Sequence, residues 1–237
     1  MPWRYELKYL VDTRTQAQLE PLMGSHLVRG EHVGEDGSYP VLSQYFDGPD
    51  LPFYLDKVAG VESRVKFRIR TYDWKFDSSA PWFLEIKRKE NASVSKIRVP
   101  FPAGEVDPAD PRTWDSLDAA TVGPFLAARD LLYLQPTAQV WYQRAVYQSA
   151  AGDLRVTWDT SSRALYPGES MSRGLLYDPL RAVFPDHLAV LEIKTAQTIP
   201  RWLAQIIRKV SLTPQAVSKY VLAMNALDLS RRMLATC

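Results

Sequence analysis

The run Arg64-Val65-Lys66-Phe67-Arg68-Ile69-Arg70 sets four cations against three apolar side chains in strict alternation. A period of two belongs to a β-strand, whose successive side chains point to opposite faces. The charged face of this strand therefore carries positive groups about 7 Å apart, two residues of strand rise. Like charges so placed repel, and a polyanion lying among them would relieve the repulsion. The plainer alternative is the solvated outer face of an ordinary sheet. Other strands repeat the pattern, which favours the polyanion.

Arg4 to Leu10 alternates charged and apolar residues and reads as a strand. Thr13 can cap a helix that runs through Leu19 and Leu22 and ends at Gly24. A strand from Val41 to Phe46 closes on the turn residues Asp47-Gly48-Pro49-Asp50. Leu51 to Val58 reads as a short helix or irregular segment. The basic strand runs to about Tyr72, and a loop containing Asp77, Ser78 and Ser79 leads to strands at Trp82–Lys89 and Val94–Val99. Pro102, Pro108 and Pro111 then break the chain before a helical region from about Trp114 to Leu132. Strands resume at Ala138–Gln148 and Leu154–Leu165, followed by a long loop from Tyr166 to Pro185 and a last strand at Ala189–Thr195. Pro200 suits the first turn of a helix carrying Trp202, Leu203, Ile206 and Ile207. A second helix runs from Ser218 to about Leu229. About eight strands on short connections, with helices grouped in three places, predict an antiparallel α+β protein in one domain spanning residues 1–237.

Seven of these strands have one charged face. Glu6 and Lys8 share a face, as do Arg64, Lys66, Arg68 and Arg70; Glu85, Lys87 and Lys89; Lys96 and Arg98; and Glu192 and Lys194. Arg144 lies with Tyr142, and Arg155 with Thr157 and Asp159. These faces hold twelve cations and four anions, a local net of +8, in a chain whose formal charge is only +2. Positive charge is thus segregated on one sheet surface and the remainder is acidic. An open sheet with its charged face in water could hold this pattern. The expectation preferred here is a barrel with the charges inside and helices against its apolar exterior, which requires water, counter-ions or a polyanion in the lumen. Arginine's planar fork suits bidentate binding of phosphate oxygens. The carboxylates Glu6, Glu85 and Glu192 would weaken a purely anion-attracting site, but they make sense as ligands of a divalent cation serving phosphoryl chemistry. For Glu6 and Glu85, pairing with neighbouring Lys and Arg stays equally open.

The single cysteine, Cys237, excludes an internal disulfide framework and a Cys-based zinc site. No apolar stretch reaches the roughly 20 residues that span a bilayer, and the N-terminus lacks a signal-peptide core, so a cytoplasmic location is expected. His26, His32 and His187 are too scattered for a zinc triad. Neither a Walker loop nor a dinucleotide fingerprint is present, so phosphate binding must rest on side chains. Double-stranded nucleic acid is not an expected partner, because a closing barrel would turn the basic residues inward.

In chain order, Glu6-Leu7-Lys8-Tyr9, Tyr45-Phe46-Asp47, Lys66-Phe67-Arg68-Ile69-Arg70, Leu84-Glu85-Ile86-Lys87, Ser95-Lys96-Ile97-Arg98, Leu191-Glu192-Ile193-Lys194 and Ser218-Lys219-Tyr220 resemble a VTC domain. This is the polyphosphate-polymerase domain of the vacuolar transporter chaperone complex, within the triphosphate tunnel metalloenzyme superfamily. The resemblance spans about residues 3 to 228. It implies an eight-stranded antiparallel tunnel with a basic lumen that binds ATP and triphosphate or polyphosphate, using Mn²⁺ or Mg²⁺. It also implies transfer of the ATP γ-phosphate to a growing chain. Under it, Lys8, Arg68, Arg70, Lys96, Lys194 and Glu192 form the catalytic set. Arg64, Lys66, Lys87, Lys89, Arg98, Arg144, Arg155 and Lys219 bind phosphate, and Glu192, Glu85 and Glu6 are the metal candidates. The superfamily's hydrolase and cyclase branch carries Glu-x-Glu-x-Lys in its first strand, whereas Arg4 stands here at the first Glu position. A triphosphate hydrolase and a non-catalytic polyphosphate-binding module are the alternatives. The sensor domain and membrane helices of the eukaryotic complex have no counterpart in this chain.

Overall fold

The computed structural model describes residues 5–30, 33–74, 80–90, 93–101, 107 and 110–228. Arg4, His32, Cys237, the loop residues Asp77, Ser78 and Ser79, and Pro102 and Pro108 lie outside them. The strands are β1 (Tyr5–Asp12), β2 (Val28–Arg29), β3 (Ser38–Asp47), β4 (Arg64–Thr71), β5 (Trp82–Glu90), β6 (Ser93–Phe101), β7 (Gln135–Gln148), β8 (Leu154–Leu165) and β9 (Leu188–Thr195). The helices are α1 (Thr13–Gly24), α2 (Pro52–Val58), α3 (Ala119–Leu132), α4 (Arg173–Leu176), α5 (Arg201–Lys209) and α6 (Lys219–Ala226). Eight strands lie in the order β1-β9-β8-β7-β3-β4-β5-β6, and the two-residue β2 pairs with β7. The ladders β1/β9, β8/β9, β3/β4, β4/β5 and β5/β6 are all antiparallel. The α+β class and the antiparallel eight-stranded sheet expected from alternation are the ones observed.

The chain divides into two compact units, the first made of Met1–Pro40, Tyr142–Ser162 and Phe184–Ser218, the second of Val41–Trp141, Arg163–Val183 and Lys219–Cys237. In the first unit the odd residues of β1 and the apolar face of β9 meet two helices. Tyr9, Val11, Leu191 and Ile193 pack with Leu19 and Met23 of α1 and with Leu203 and Ile207 of α5. In the second unit Phe67, Ile69, Trp82, Leu84 and Ile86 form the oily side of β4 and β5, covered by Trp114, Val122 and Phe125. Each such side chain contributes roughly 1.5–3 kcal/mol by leaving water. This burial fixes which face of each strand turns to the core. The charged residues, at the alternate positions, are thereby forced together on the other face.

Local boundaries follow the cap chemistry. Asp12, one residue before the expected Thr13, caps α1 by accepting from Thr15 N at 2.8 Å. The helical region expected from Trp114 to Leu132 is a 3₁₀ turn at Pro111–Ser116 followed by α3, and Asp118 caps the new start by accepting from Ala120 N. The loop from Tyr166 to Pro185 contains α4 and a 3₁₀ turn at Pro179–Arg181. It is pinned by paired Arg181–Glu169 hydrogen bonds of 3.0 Å.

Asp47 closes β3 before a turn, as expected, and is fully buried there. Helix α2 begins after Leu51, whose backbone is left-handed (φ 52°) and whose side chain cannot cap. The Asp47 carboxylate replaces the missing cap, accepting from Gly48 N (2.8 Å), Phe53 N (3.0 Å) and Tyr54 N (2.9 Å). The Tyr220 hydroxyl of α6 donates to the same group at 2.7 Å. One carboxylate therefore ties β3, α2 and α6 together. We expect Asp47→Ala to lower unfolding stability by about 2–4 kcal/mol and Tyr220→Phe by about 1 kcal/mol. In a urea double-mutant cycle the two should be non-additive; additive losses would show that the Asp47–Tyr220 bond does not couple α6 to α2.

Candidate functional site

The second unit builds its charged face from four strands in direct register. Arg68 of β4 stands opposite Glu85 of β5, which stands opposite Arg98 of β6. One rung along, Lys66, Lys87 and Lys96 stand opposite one another, and Arg64 faces Lys89 at the rung beyond. Directly opposed side chains have their Cβ atoms about 5 Å apart, where like charges destabilise a sheet. Glu85 is the local counterweight. Its carboxylate, with a side chain 1% exposed, takes Arg68 through Nε (2.7 Å) and Nη2 (2.6 Å), Lys96 Nζ (2.6 Å) and Arg98 Nη1 (3.2 Å). Burial alone would raise its pKa, but Arg68, Arg70 and Lys96 outweigh burial and hold the group ionised far below the usual range. Lys96 is shifted down, by burial first, with Glu85 opposing and Arg68 and Arg70 adding repulsion. The face read from sequence thus holds eight cations and one carboxylate in this unit.

Strand β3 lines the same face with residues the sequence reading did not count. Ser43 accepts from Arg70 Nε at 3.0 Å, and the Tyr45 hydroxyl lies 3.3 Å from Arg68 Nη1. The Arg98 guanidinium sits 3.9 Å over the Phe83 ring and 5.5 Å from that of Tyr72. Ser43 was missed, and Tyr45 was given no role beyond the family motif, because β3 carries no charge before Asp47 and a search for charged alternation passes over it. The spacing Ser43, Tyr45, Asp47 was the available signal. Lys219 is the first residue of α6, beside the buried Tyr220.

The first unit is organised differently. Lys8 stands opposite Glu192, and Glu6 opposite Lys194. Lys8 Nζ reaches Glu6 Oε1 at 2.7 Å and Glu192 Oε2 at 3.3 Å, while Lys194 Nζ holds Glu192 Oε1 at 2.6 Å. Burial works against the charge on Lys8, yet Glu192 and then Glu6 outweigh it and raise its pKa. Glu192 is shifted well down, with Lys8, Lys194 and Arg144 overcoming burial. Arg144 is gripped in a fork by the buried Asp159, at 2.5 and 2.7 Å, and Arg155 lies 3.3 Å from the Tyr39 hydroxyl. This face carries Lys8, Lys194, Arg144 and Arg155 against Glu6, Glu192 and Asp159, close to neutral. The net positive charge read from the sequence is therefore concentrated in the second unit.

A metal ion was expected at Glu192, Glu85 and Glu6. Among the described residues no three His, Cys, Asp or Glu side chains gather in a way that could hold one. Glu6 and Glu192 do converge, both touching Lys8, and two carboxylates plus substrate phosphates suffice for Mg²⁺ or Mn²⁺. Glu85 belongs to the second unit and its oxygens are taken by three cations, so it acts as an ion-pair organiser.

Glu85→Gln should therefore lower stability at neutral pH by about 2–3 kcal/mol, less than for a fully buried pair, because its partners keep 20%, 41% and 33% exposure. A carboxylate with a depressed folded pKa stabilises above its unfolded value near 4.3 and loses that contribution as pH falls. The gap between wild type and variant should therefore close below pH ~4 in thermal unfolding curves. A gap independent of pH would rule out Glu85 as the ionised organiser.

The profile of the VTC domain matches residues 3–228. No curated protein matches the chain. Among solved structures, it is similar to a candidate adenylate cyclase from Bacillus halodurans at 16% identity and TM-score 0.52, covering 90% of this chain and 92% of that one. A Pyrococcus horikoshii protein (14% identity, TM-score 0.48) is covered to 99% by 93% of this chain, and a conserved hypothetical protein of Pyrococcus furiosus (12%, 0.41) to 97% by 90%. The first of these likenesses speaks to the fold alone. The profile match covers nearly all of the sequence, and by it the chain belongs to the VTC domain family.

Proposed function

We propose that this chain is a metal-dependent polyphosphate polymerase, working as one domain over residues 1–237, that transfers the γ-phosphate of ATP to a growing polyphosphate chain. The observation that carries the reading is the in-register rung of Lys66, Lys87 and Lys96 beside the rung of Arg68, Glu85 and Arg98. A sheet that places three lysines opposite one another gains most from a ligand bearing a negative charge on each of several linked units. Polyphosphate is such a ligand, and membership of the VTC family supports the same substrate class.

Chemically, the transfer forms a bond between a terminal oxygen of the acceptor chain and the γ-phosphorus, and breaks the bond from that phosphorus to the β,γ-bridging oxygen. ADP leaves with the bonding electrons. No side-chain nucleophile is needed, so the residues align and neutralise. Arg68, fixed by Glu85 and Tyr45, and Arg70, fixed by Ser43, present guanidinium groups whose positions are set before the ligand arrives. Lys66, Lys87, Lys96 and Arg98 neutralise further oxygens, with Arg64, Lys89 and Lys219 extending the basic surface. In the first unit Lys8, Lys194, Arg144 and Arg155 supply the corresponding contacts. Glu192 with Glu6 would hold Mn²⁺ or Mg²⁺, which when bound offsets charge developing between phosphates. Among the described residues no helix is long and apolar enough to cross a membrane; a cytoplasmic site of action belongs to the proposal.

Incubation with ATP and Mn²⁺ should yield ADP and chain products with little orthophosphate. Orthophosphate without chains would establish a triphosphate hydrolase, and absence of turnover with polyphosphate still protecting the protein against heat would establish a binding module. Glu192→Gln should abolish turnover while leaving polyphosphate binding largely intact, and persistent turnover would remove Glu192 from the metal role. Polyphosphate binding should weaken steeply with salt. Removing Lys66 or Lys87 should reduce the log–log salt slope by about 0.7–0.9, by analogy with phosphate contacts in nucleic acids.

A further inference from the structure

Tyr45 is a phenol placed among the second unit's cations, and the polymerase reading uses it only to brace Arg68. Its position is imposed by register, since β3 puts Tyr45 directly opposite Arg68, between the Ser43–Arg70 and Asp47 positions. The residue is 5% exposed. One face of its ring stacks on Tyr220 at 5.1 Å and 24°, and its hydroxyl meets Arg68 Nη1 at 3.3 Å. The ring cannot swing away without breaking the stack, so the oxygen is held on the face where phosphate is expected.

We propose that Tyr45 is a further ligand of the phosphate chain, one that binds it as the protonated phenol. In the free protein its oxygen faces the Arg68 guanidinium, and in the loaded protein its hydroxyl donates to a phosphate oxygen. The proposal rests on the phosphate-binding part of the function above and is indifferent to whether the chain is extended, hydrolysed or merely held.

The surroundings supply the reason. From β4 the oxygen meets the fields of Arg68, Arg70 and Lys66. From β5 and β6 come Glu85, Lys96 and Arg98, with the single carboxylate already engaged by Arg68, Lys96 and Arg98. On its own strand Asp47 is turned to Tyr220 and the start of α2. From α6 comes Tyr220, with Tyr54 of α2 edge-on to its ring. The stretch of β7 in this unit, Gln135–Trp141, carries no ionisable side chain. Burial would push the phenol up, but Arg68, Arg70 and Lys66 outweigh burial and bring it down to about 8. A bound polyanion cancels that cationic field, so any phenolate present regains a proton from solvent and becomes a donor. The balance is one proton taken up per chain bound well above pH 8, where the free phenol is ionised, and none well below it, with no redox change.

Linkage sets the sign. Binding that requires the protonated phenol is unaffected well below pH 8 and weakens above it. Tripolyphosphate is the probe, and comparison with Tyr45→Phe cancels the ligand's own titration while keeping the ring stack. Absorbance titration of the free wild type should show one tyrosinate step near 8, absent in Tyr45→Phe and retained in Tyr72→Phe; added tripolyphosphate should move that step upward. Between pH 7 and pH 9 the ratio of wild-type to Tyr45→Phe Kd should rise about tenfold. A step that survives in Tyr45→Phe, no step in wild type, or parallel pH profiles would overturn the proposal while tripolyphosphate binding stood. Failure of wild type to bind tripolyphosphate at pH 7 would remove the phosphate reading and this proposal together.

Discussion

Repulsion among cations fixed on one side of a sheet is the constraint to which the second unit answers. Its origin is hydrophobic. Phe67, Ile69, Leu84 and Ile86 must be buried, and in a pleated strand that choice sends Arg68, Arg70, Glu85 and Lys87 the other way. Glu85 keeps the resulting crowd tolerable by holding three cations at 2.6–3.2 Å. One carboxylate cannot neutralise eight cations, and the excess is what the proposed polyanion would offset. Because the guanidinium and ammonium groups are already braced by Glu85, Ser43 and Tyr45, binding need not order them afresh.

The first unit solves the same problem with a nearly balanced set. Glu192 and Glu6 share Lys8, and Asp159 grips Arg144. Charge density there is modest, while the ion pairs are tight and the central carboxylate is buried. One cluster thus carries excess positive charge, and the other carries carboxylates as well as cations. Asp47 adds a structural counterpart, since its single buried carboxylate fixes α2 and α6 beside the basic strands and brings Tyr220 under Tyr45.

Much of this was readable in one dimension. The alternation in β4, β5, β6 and β9 was clear because oily and charged residues differ so sharply that a period of two survives without any partner strand. Family membership was carried by the same runs. The turn after Asp47 was legible in Asp-Gly-Pro-Asp, but nothing local reveals that the helix after Leu51 lacks its own cap and draws on Asp47 instead. Ser43 was passed over, and Tyr45 was quoted only within the family motif, because β3 has no charge before Asp47 and so gives no charge pattern. That the net positive charge on these faces is concentrated in one unit was not legible in one dimension. The carboxylates of the first unit sit against their cations only once β1, β8 and β9 are brought into register.

The sequence alone determined which residues share a face, since the geometry of a strand dictates that from neighbour to neighbour. It determined the fold class for the same reason. Only the tertiary structure decided which charges meet. Register between strands sets Lys66 against Lys87 and Lys96, and Arg68 against Glu85, and register depends on burying the core those strands share. The separation of Glu85 from Glu192 into different compact units, and with it the assignment of one as organiser and the other as a candidate metal ligand, is a long-range consequence of the fold. No spacing along the chain encodes it, because residues 107 positions apart are related only through the packing of the strands that carry them.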